Sequence, residues 1–451
     1  MKNSIRISGL MLLLSLFFAG CEKNSDPEGP DYDKIGAAKD LLWLTPDLQP
    51  ETFRNIDKIF ATRTIKRGNN VFPLPYHASF LSSVTYSPDG VNSYTIDDFI
   101  SRNRVAGLLI IKDGKIALER YALGNKASSK WVGFSTTKSV VSTLIGIAVQ
   151  DAKINSINDQ VVDYLPQLVG SAYDGVTIKD LMQMSSGVEW NEDYLDPNSD
   201  LSAIFQSMLN GERGGILNYM AGLQRIADPG TQFIYKTGET HLEAEVLKSV
   251  LQGESISDYL SRKVWANMGM EADANWLLES ENGIEFGGGL ISMTMRDYGR
   301  FGMFILNDGK INNNAILPSG WVNDLGSPPA DAPQCAYNEL YSQNNAGEYA
   351  YAYPLGYSYN WWPLPGQTWG SWDYLDDASW WGSDAIEAVS PNFTNLLGTF
   401  TAQGIFGQFI HINQAEKMVT IVLSAWETPW IDPKEYETYC FINAATEALK
   451  Q

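Results

Sequence analysis

One apolar segment constrains the fold of this chain more than any other. Residues 140–149, VVSTLIGIAV, are apolar on nearly every side of a helix, which predicts a helix buried in the middle of a domain rather than one at its surface. Directly before this segment stands Ser135-Thr136-Thr137-Lys138, the one place in the chain where a lysine follows a serine three residues later. On a helix this spacing brings a hydroxyl and an amine to the same face, about one turn apart.

The chemistry of this pair predicts acyl transfer. An amine that has lost its proton can take the proton of the hydroxyl, which is the minimum needed to form a serine ester. The backbone N–H groups and the positive end of the helix dipole favour a negative charge beside Ser135 and, together with burial, oppose protonation of Lys138. The same residues also fit a simpler arrangement, an N-cap serine with a solvated lysine one turn into the helix.

Composition limits the class of protein and its partners. The chain has 451 residues, of which 44% are hydrophobic and 19% charged, so it can bury a large core and is longer than one ordinary domain. Lysine and arginine number 32 against 53 aspartates and glutamates, which gives a net charge of −21. This acidity argues against nucleic acid or an anionic membrane surface as a partner.

The N-terminus has the features of a targeting segment. Lys2 and Arg6 precede a short apolar stretch over residues 7–18, which is too short for a comfortable membrane span. The following Phe18-Ala19-Gly20-Cys21 resembles the lipobox of bacterial lipoproteins, which implies cleavage before Cys21 and lipidation of that cysteine. We therefore expect a lipid-anchored protein of the bacterial cell envelope, in the periplasm or at the outer-membrane surface, and a plain secretory signal is the alternative.

Other catalytic and metal-binding patterns are missing. The three histidines, His77, His241 and His411, are far apart and belong to no His-Glu-x-x-His run, and no Cys-x-x-Cys run exists, so we expect no metal site and no cofactor. The Gly-x-Ser-x-Gly elbow of α/β-hydrolases is also absent. Cys335 and Cys440 could pair in an oxidising compartment or remain free and buried.

The pattern of local elements predicts an α+β fold. Asp113-Gly114 between two apolar runs is typical of a β-hairpin turn. Strands are predicted over residues 105–111, 116–121, 400–405, 408–413 and 417–425, and helices over residues 177–184, 239–251, 257–268 and 433–450. Strands at both ends with helices between them indicate a sheet domain that carries an inserted, mainly helical subdomain.

Motifs from several parts of the chain occur in the order found in serine β-lactamase-like proteins. They are the hairpin over residues 105–121, then residues 133–138 (GFSTTK), 176–187 (VTIKDLMQMSSG), 229–235 (PGTQFIY) and 287–290 (GGGL). The chain resembles the branch of that family with class C β-lactamases, DD-peptidases, carboxylesterases and nylon-oligomer (aminohexanoate-dimer) hydrolases. Residues 235–237 (YKT) and 402–408 (AQGIFGQ) make the last group the most similar.

The resemblance implies a fold and a domain division. The fold would be β-lactamase/transpeptidase-like, an antiparallel sheet flanked by helices with an inserted helical subdomain. A signal peptide over residues 1–20 and an acidic tether over residues 21–45 would precede one serine hydrolase domain over residues 46–451. Within it we expect the helical subdomain at about residues 159–280 and an aromatic-rich insertion at about residues 325–385.

The resemblance also implies roles for single residues. Ser135 would be the nucleophile, Lys138 its base, and Tyr235 would pass the proton to the leaving group. The backbone N–H groups of Ser135 and Ile405 would form the oxyanion hole. Taken by itself, Tyr235 could equally be a core aromatic residue.

Gln403 and Gly404 would contact substrate, although an ordinary edge strand explains them equally well. Trp361 and Trp362 belong to a group of six tryptophans and are candidates for the cleft wall; the alternative is that these rings only pack an insertion onto the body. The other members of the group are Trp369, Trp372, Trp380 and Trp381.

Two departures from the β-lactamase pattern bear on the substrate. Thr237 stands where β-lactamases have Asn, and Ala402-Gln403-Gly404 stands where they have Lys-Thr-Gly or a His equivalent, so a cationic anchor for the β-lactam carboxylate is missing there. A small-molecule or peptide-like ester or amide needs no such anchor, which favours an esterase or amidase. A penicillin-binding DD-peptidase and a catalytically inactive, surface-exposed binding lipoprotein are the alternatives.

Overall fold

The computed structural model describes residues 29–328, 355–364 and 393–450, with residues 330, 332–333, 336–337 and 351–352 between them. The helices are α1 (Gln49–Arg54), α2 (Ile96–Arg102), α3 (Thr136–Gln150), α4 (Val161–Tyr164), α5 (Ile178–Met182), α6 (Asp200–Leu209), α7 (Gly215–Ala221), α8 (Thr237–Val250), α9 (Ile256–Leu260), α10 (Met295–Leu306), α11 (Trp321–Gly326) and α12 (Asp432–Leu449). The strands are β1 (Thr62–Ile65), β2 (Thr85–Tyr86), β3 (Tyr94–Thr95), β4 (Val105–Lys112), β5 (Lys115–Tyr121), β6 (Lys130–Val132), β7 (Ala274–Leu277), β8 (Ile291–Thr294), β9 (Lys310–Ile311), β10 (Asn314–Ala315), β11 (Ala336–Tyr337), β12 (Tyr351–Ala352), β13 (Trp362–Leu364), β14 (Thr399–Gly404), β15 (Gln408–Asn413) and β16 (Met418–Ser424).

A six-stranded antiparallel sheet forms the centre of the molecule, with the strand order β13-β14-β15-β16-β4-β5. Alternate residues of β4 divide between two apolar clusters because successive side chains of a strand point to opposite faces. Leu109 and Ile111 pack with α3 and α10 on one face. Leu108 and Ile110 pack with α2 and α12 on the other face. The α+β prediction is confirmed, with helices on both faces of an antiparallel sheet.

The first predicted hairpin is confirmed by β4 and β5. These strands pair antiparallel and end at the facing residues Lys112 and Lys115. Asp113 and Gly114 between them have φ values of 50° and 74°. Left-handed backbone at both central turn residues is the conformation that an Asp-Gly hairpin turn requires.

The predicted buried helix is confirmed by α3, in which every side chain from residue 136 to residue 148 is buried. It contacts β14 and β15 of the main sheet on one side and α8 on the other. Helices α4 to α9 follow it in the chain, and α5 begins with the predicted capping pair, in which Thr177 and Asp180 cap each other's backbone N–H groups. Because α3 lies between the main sheet and α8, its N-terminus lies at the boundary between the sheet and the helices that follow α3.

The folded body begins before residue 46, where the sequence placed the start of the domain. A 3₁₀ helix over Ala38–Trp43 lies in the last part of the expected acidic tether, and Leu41 and Leu42 within it are buried. Leu44 is also buried. The acidic, Pro- and Gly-containing composition that suggested a tether is confined to residues 22–33, and the leucines that follow supply enough apolar surface to pack.

One helix is shorter in the structure than the sequence predicted. The α-helix expected over residues 257–268 ends early, because α9 stops at Leu260 and the chain continues as a π-helical turn over Ser261–Trp265.

In the part of the chain that the structure describes, no helix has the length and apolar character needed to cross a membrane. Outside the described residues lie Cys21, Cys335, Trp369, Trp372, Trp380 and Trp381.

Candidate active site

The segment before α3 presents Ser135 at a helix N-terminus. Ser135 is the N-cap residue of α3, yet its side chain makes no capping hydrogen bond. It is only partly buried. Phe134 before it has a φ of 46°, a left-handed conformation that a bulky side chain adopts only where its surroundings hold it. The hydroxyl is therefore available to a bound molecule, beside the positive end of the helix dipole.

Lys138 is buried and lies against the serine. Only 1% of its surface is exposed. Its Nζ lies 2.9 Å from Ser135 Oγ and donates a 2.6 Å hydrogen bond to the carbonyl oxygen of Gly288. Burial lowers the pKa of Lys138 to about 8, although Glu192 and Glu243 act in the opposite direction. This geometry excludes the simpler arrangement with a solvated lysine, and it leaves a part of the lysine population neutral near physiological pH.

Tyr235 meets the same pair of residues. Burial, followed by the charge of Glu192, raises the pKa of Tyr235 far above its ordinary value, and an interaction with the Ser135 side chain acts in the opposite direction. Lys138 Nζ lies 5.0 Å from the centre of the Tyr235 ring. Serine, lysine and tyrosine are thus brought together as the sequence predicted, and the tyrosine keeps its proton at neutral pH.

Two buried glutamates near Lys138 were not found from the sequence. Glu192 accepts hydrogen bonds from the Thr237 backbone N–H at 2.9 Å and from the Thr237 hydroxyl. Glu243 accepts two bonds from the Asn360 amide at 2.9 and 3.0 Å, and burial raises the pKa of Glu243 to about 8. The helical periodicity of α8 could have placed Glu243 on a buried face, but nothing local distinguishes Glu192 from a surface glutamate.

The end of β14 passes directly against the serine segment. A Cβ built on Gly404 would lie 2.4 Å from the carbonyl oxygen of Gly133 and 3.2 Å from the Ser135 nitrogen. Only a glycine permits this approach without displacement of the backbone. Ile405, the next residue, lines the same cleft as Ser135. The structure thus brings both predicted oxyanion-hole residues to one cleft.

Gln403 and Trp361 do not reach the cleft. Gln403 donates hydrogen bonds from its Nε2 to Glu435 Oε1 at 2.9 Å and to the Tyr439 hydroxyl at 2.8 Å, both on α12 at the opposite face of the sheet. Trp361 is fully buried, and its ring packs edge-on against Phe400 at 5.3 Å. Strand alternation explains the first case, because Gln403 and Gly404 are neighbours and must present opposite faces.

Trp362, in contrast, lies beside the catalytic candidates. Its ring is stacked on that of Tyr235, with centroids 5.7 Å apart and an interplanar angle of 24°. Tyr357 closes this group and lies edge-on to Trp362 at 4.7 Å. The two adjacent tryptophans therefore differ: Trp361 belongs to the core, whereas Trp362 supports the proposed proton-transfer residue.

The cleft in front of Ser135 is open to solvent, and its surface is mainly apolar. Its wall contains Leu42, Leu201, Phe205, Phe286 and Leu290, together with Tyr194 and Thr237. Among the described residues of the wall there is no lysine, arginine, aspartate or glutamate. A charged group on the substrate would find no counter-charge among these described residues, whereas an uncharged apolar chain would be desolvated favourably.

One group in the described part of the chain has the composition of a metal site. His241, Glu245 and Glu279 hold ligand atoms within 4.8 Å of one another. The Nδ1 of His241 accepts a 3.3 Å hydrogen bond from the Gly287 N–H, so in the neutral ring Nε2 carries the proton. It is this Nε2 that faces Glu279 at 3.6 Å and Glu245 at 3.9 Å. A protonated nitrogen offers no lone pair, so the ring as placed does not suit a metal ion.

Comparisons with known proteins agree with the geometry. The Beta-lactamase family model matches residues 95–438. The 6-aminohexanoate-dimer hydrolase of Paenarthrobacter ureafaciens is 23% identical over 383 residues, which are 84% of this chain and 85% of the relative. The solved structure of the "Putative 6-aminohexanoate-dimer hydrolase from Bacillus anthracis" is similar with a TM-score of 0.73 at 19% identity. The similarity covers 94% of this chain and 99% of the chain in that structure.

A solved family VIII carboxylesterase has a TM-score of 0.53 at 14% identity, over 83% of this chain and 98% of its own. The likeness to these two structures establishes the fold, and the family model covers more than half of the chain. The resemblance inferred from the order of motifs is confirmed. This chain belongs to the Beta-lactamase family and is a serine hydrolase of that family.

Proposed function

We propose that this chain hydrolyses a carboxylic ester or amide through an acyl-enzyme on Ser135, with Lys138 as base and Tyr235 as proton relay. The observation that supports this most is the 2.9 Å contact between Lys138 Nζ and Ser135 Oγ, in a setting where burial lowers the pKa of the lysine to about 8. A lysine of ordinary pKa would be protonated at neutral pH and could not accept the serine proton.

Acylation begins when neutral Lys138 takes the hydroxyl proton as Ser135 Oγ attacks the carbonyl carbon. The carbonyl oxygen becomes an oxyanion, which the backbone N–H groups of Ser135 and Ile405 stabilise. The intermediate then collapses, and the bond to the leaving alcohol or amine breaks. The leaving group receives a proton from the Lys138 ammonium through the Tyr235 hydroxyl. Deacylation repeats these steps with water as the nucleophile and returns the proton to Ser135.

The raised pKa of Tyr235 supports its role as a relay rather than as the base. A phenol that stays protonated at neutral pH can donate its proton to a leaving group while it accepts another from the Lys138 ammonium. Lys138 is the group whose pKa lies near the working pH, which is the condition for efficient general base catalysis. The direction of the two pKa shifts therefore supports the assignment of roles.

The apolar cleft wall favours an ester or simple amide over a β-lactam. The described wall holds no cation for a β-lactam carboxylate, and the Gln403 amide at the third-motif position is bound by α12. The names of two similar proteins, a 6-aminohexanoate-dimer hydrolase and a family VIII carboxylesterase, agree with amide or ester cleavage. We expect weak or no hydrolysis of nitrocefin, and turnover near that of a dedicated β-lactamase would contradict this part of the proposal.

The nucleophile is tested by intact mass spectrometry of the domain without residues 1–21 after exposure to a fluorophosphonate. We expect one adduct on the parent protein and none on Ser135→Ala. The matched control is Ser142→Ala on the same helix, because Ser142 is fully buried and hydrogen-bonds the Ser139 carbonyl at 3.1 Å. No adduct on folded parent protein would overturn the proposal in favour of a binding lipoprotein, and stable labelling by a fluorescent penicillin would favour a DD-peptidase.

The cellular location is a separate part of the proposal. We propose that Cys21 carries a lipid that anchors the enzyme to the bacterial cell envelope, which is supported by the lipobox-like sequence alone. Membrane contact would occur only through this anchor, and the substrate would be a small-molecule or peptide-like ester or amide. Expression of the full chain with a clickable fatty acid should label the parent protein and leave Cys21→Ser unlabelled; equal labelling would contradict the anchor.

A further inference from the structure

Helix α1 lies outside the segment matched by the family model, residues 95–438, yet it sends one side chain beneath the candidate oxyanion hole. Phe53 is fully buried. Its ring centre lies 5.0 Å from that of Phe134 in an edge-on arrangement and 5.2 Å from that of Phe406. The rings of Phe134 and Phe406 are themselves 5.2 Å apart. Each of these three rings thus packs against the other two, and we call them the phenylalanine cluster; Phe53 also packs edge-on against Trp131 at 5.7 Å.

The two partners of Phe53 adjoin the residues whose N–H groups would hold the oxyanion. Phe134 immediately precedes Ser135, and Phe406 immediately follows Ile405. Both phenylalanines have left-handed backbone, with φ values of 46° and 61°. This conformation is unfavourable for a bulky residue and persists only where packing determines it. The packing of these two rings is therefore one constraint on the orientation of both N–H groups, beside backbone hydrogen bonds such as that from the Phe406 N–H to the Pro429 carbonyl oxygen at 2.7 Å.

Phe53 is in a position to hold them because α1 is itself fixed. Gln49 at the start of α1 is fully buried, and its Nε2 donates to the carbonyl oxygens of Leu44 and Glu427, each at 3.3 Å. Arg54 at its end donates to the Leu123 carbonyl oxygen at 2.6 Å. The helix is thus bonded at both ends to other parts of the body, so the ring between them has a defined position.

We propose that Phe53 is a positioning residue for the oxyanion hole: through Phe134 and Phe406 it orients the backbone N–H groups of Ser135 and Ile405. This inference rests on the proposed function. An oxyanion hole stabilises the transition state far more than the bound substrate, so its distortion lowers kcat and leaves KM nearly unchanged. A smaller folded fraction alone would also lower the apparent kcat at constant KM, so kcat is compared with that of a control variant of similar stability.

The test compares Phe53→Leu with Phe99→Leu in the domain without residues 1–21. Phe99 is the matched control because it is also fully buried in a cluster of rings, stacked on Phe441 at 4.2 Å on the other face of the sheet. We expect Phe53→Leu to lower kcat on a p-nitrophenyl ester by about 10-fold with KM changed less than about twofold, since small displacements of catalytic groups cost factors of this order or more. Phe99→Leu should lower the melting temperature comparably and leave kcat unchanged.

A second readout uses a boronic acid, whose adduct with Ser135 imitates the tetrahedral intermediate. Its inhibition constant should rise in Phe53→Leu by the same factor by which kcat falls. Should Phe53→Leu fail to fold, Phe53→Met, whose flexible unbranched side chain fills irregular gaps, is measured in the same way. Equal kcat for the two leucine variants, or a change confined to KM, would overturn the inference while fluorophosphonate labelling of the parent still supports the proposed function. A parent protein without labelling would overturn both.

Discussion

The pH dependence of hydrolysis follows from the burial of Lys138. The lysine is a base only when it is neutral, and its pKa is lowered to about 8. The rate should therefore rise as the pH increases through about 8 and then level off. With a single ionisation at that pKa, about 10% of the lysine is neutral at pH 7 and about 1% at pH 6. We expect kcat/KM at pH 6 to lie about 100-fold below its plateau.

A variant of Glu192 adds a direction to this prediction. Its carboxylate favours the charged form of Lys138, so its removal in Glu192→Gln should lower the lysine pKa further. The inflection of the pH profile should then move to lower pH by about one unit. The matched control is Glu189→Gln, because Glu189 is three residues away and exposed.

The assay is kcat/KM for an uncharged p-nitrophenyl ester between pH 5.5 and pH 10, with folding monitored by circular dichroism at each pH. An uncharged substrate ensures that the profile reports groups of the free enzyme. The reasoning would be refuted by a profile that is flat below pH 8 or by an inflection at the ordinary lysine pKa. A shift to higher pH in Glu192→Gln would equally contradict it.

Three further predictions concern residues in and around the site. Gly404→Ala would place a methyl group 2.4 Å from a backbone carbonyl oxygen beside the nucleophile, so kcat should fall by about 100-fold, and activity like that of the parent in a steady-state assay would contradict this. Leu42→Ala should widen the apolar cleft and therefore raise the ratio of octanoate to butyrate ester hydrolysis. The control is Leu44→Ala, because Leu44 is buried in the same segment but is not part of the described wall, and this variant should leave the ratio unchanged. Trp361→Ala should lower the free energy of unfolding by about 3–5 kcal/mol in urea denaturation. Trp362→Ala should chiefly lower kcat, because it removes the ring stacked on the candidate proton relay Tyr235. The reverse pattern would contradict the assignment of the two rings.

Local patterns were sufficient for much of the fold. The hairpin β4–β5, the buried helix α3 and the three strands near the C-terminus were predicted because side-chain periodicity and turn residues act over a few neighbouring positions. The order of motifs then supplied the fold family. The prediction was less successful for residues 38–44, where three leucines packed into the body from a segment judged by its acidic neighbours.

For the site, the sequence determined which residues could react, and the tertiary structure decided which of them meet. The spacing of Ser135 and Lys138 is a local property of one helix turn, so their contact could be predicted. Two adjacent positions that looked equivalent in the sequence lie on opposite faces of the sheet. Gln403 faces α12, whereas Gly404 faces the segment that carries Ser135. The reason is the alternation of the strand, whose phase depends on the register of the whole sheet.

The reactivity of the lysine also belongs to the tertiary structure. The sequence by itself determined that an amine would lie one turn from a hydroxyl, and that a buried helix would follow. Only packing decided that Lys138 is almost completely enclosed, that Glu192 and Glu243 approach it from distant parts of the chain, and that its pKa falls to about 8. A pKa depends on the surrounding dielectric and on nearby charges, and both are set by residues that meet only when the chain folds.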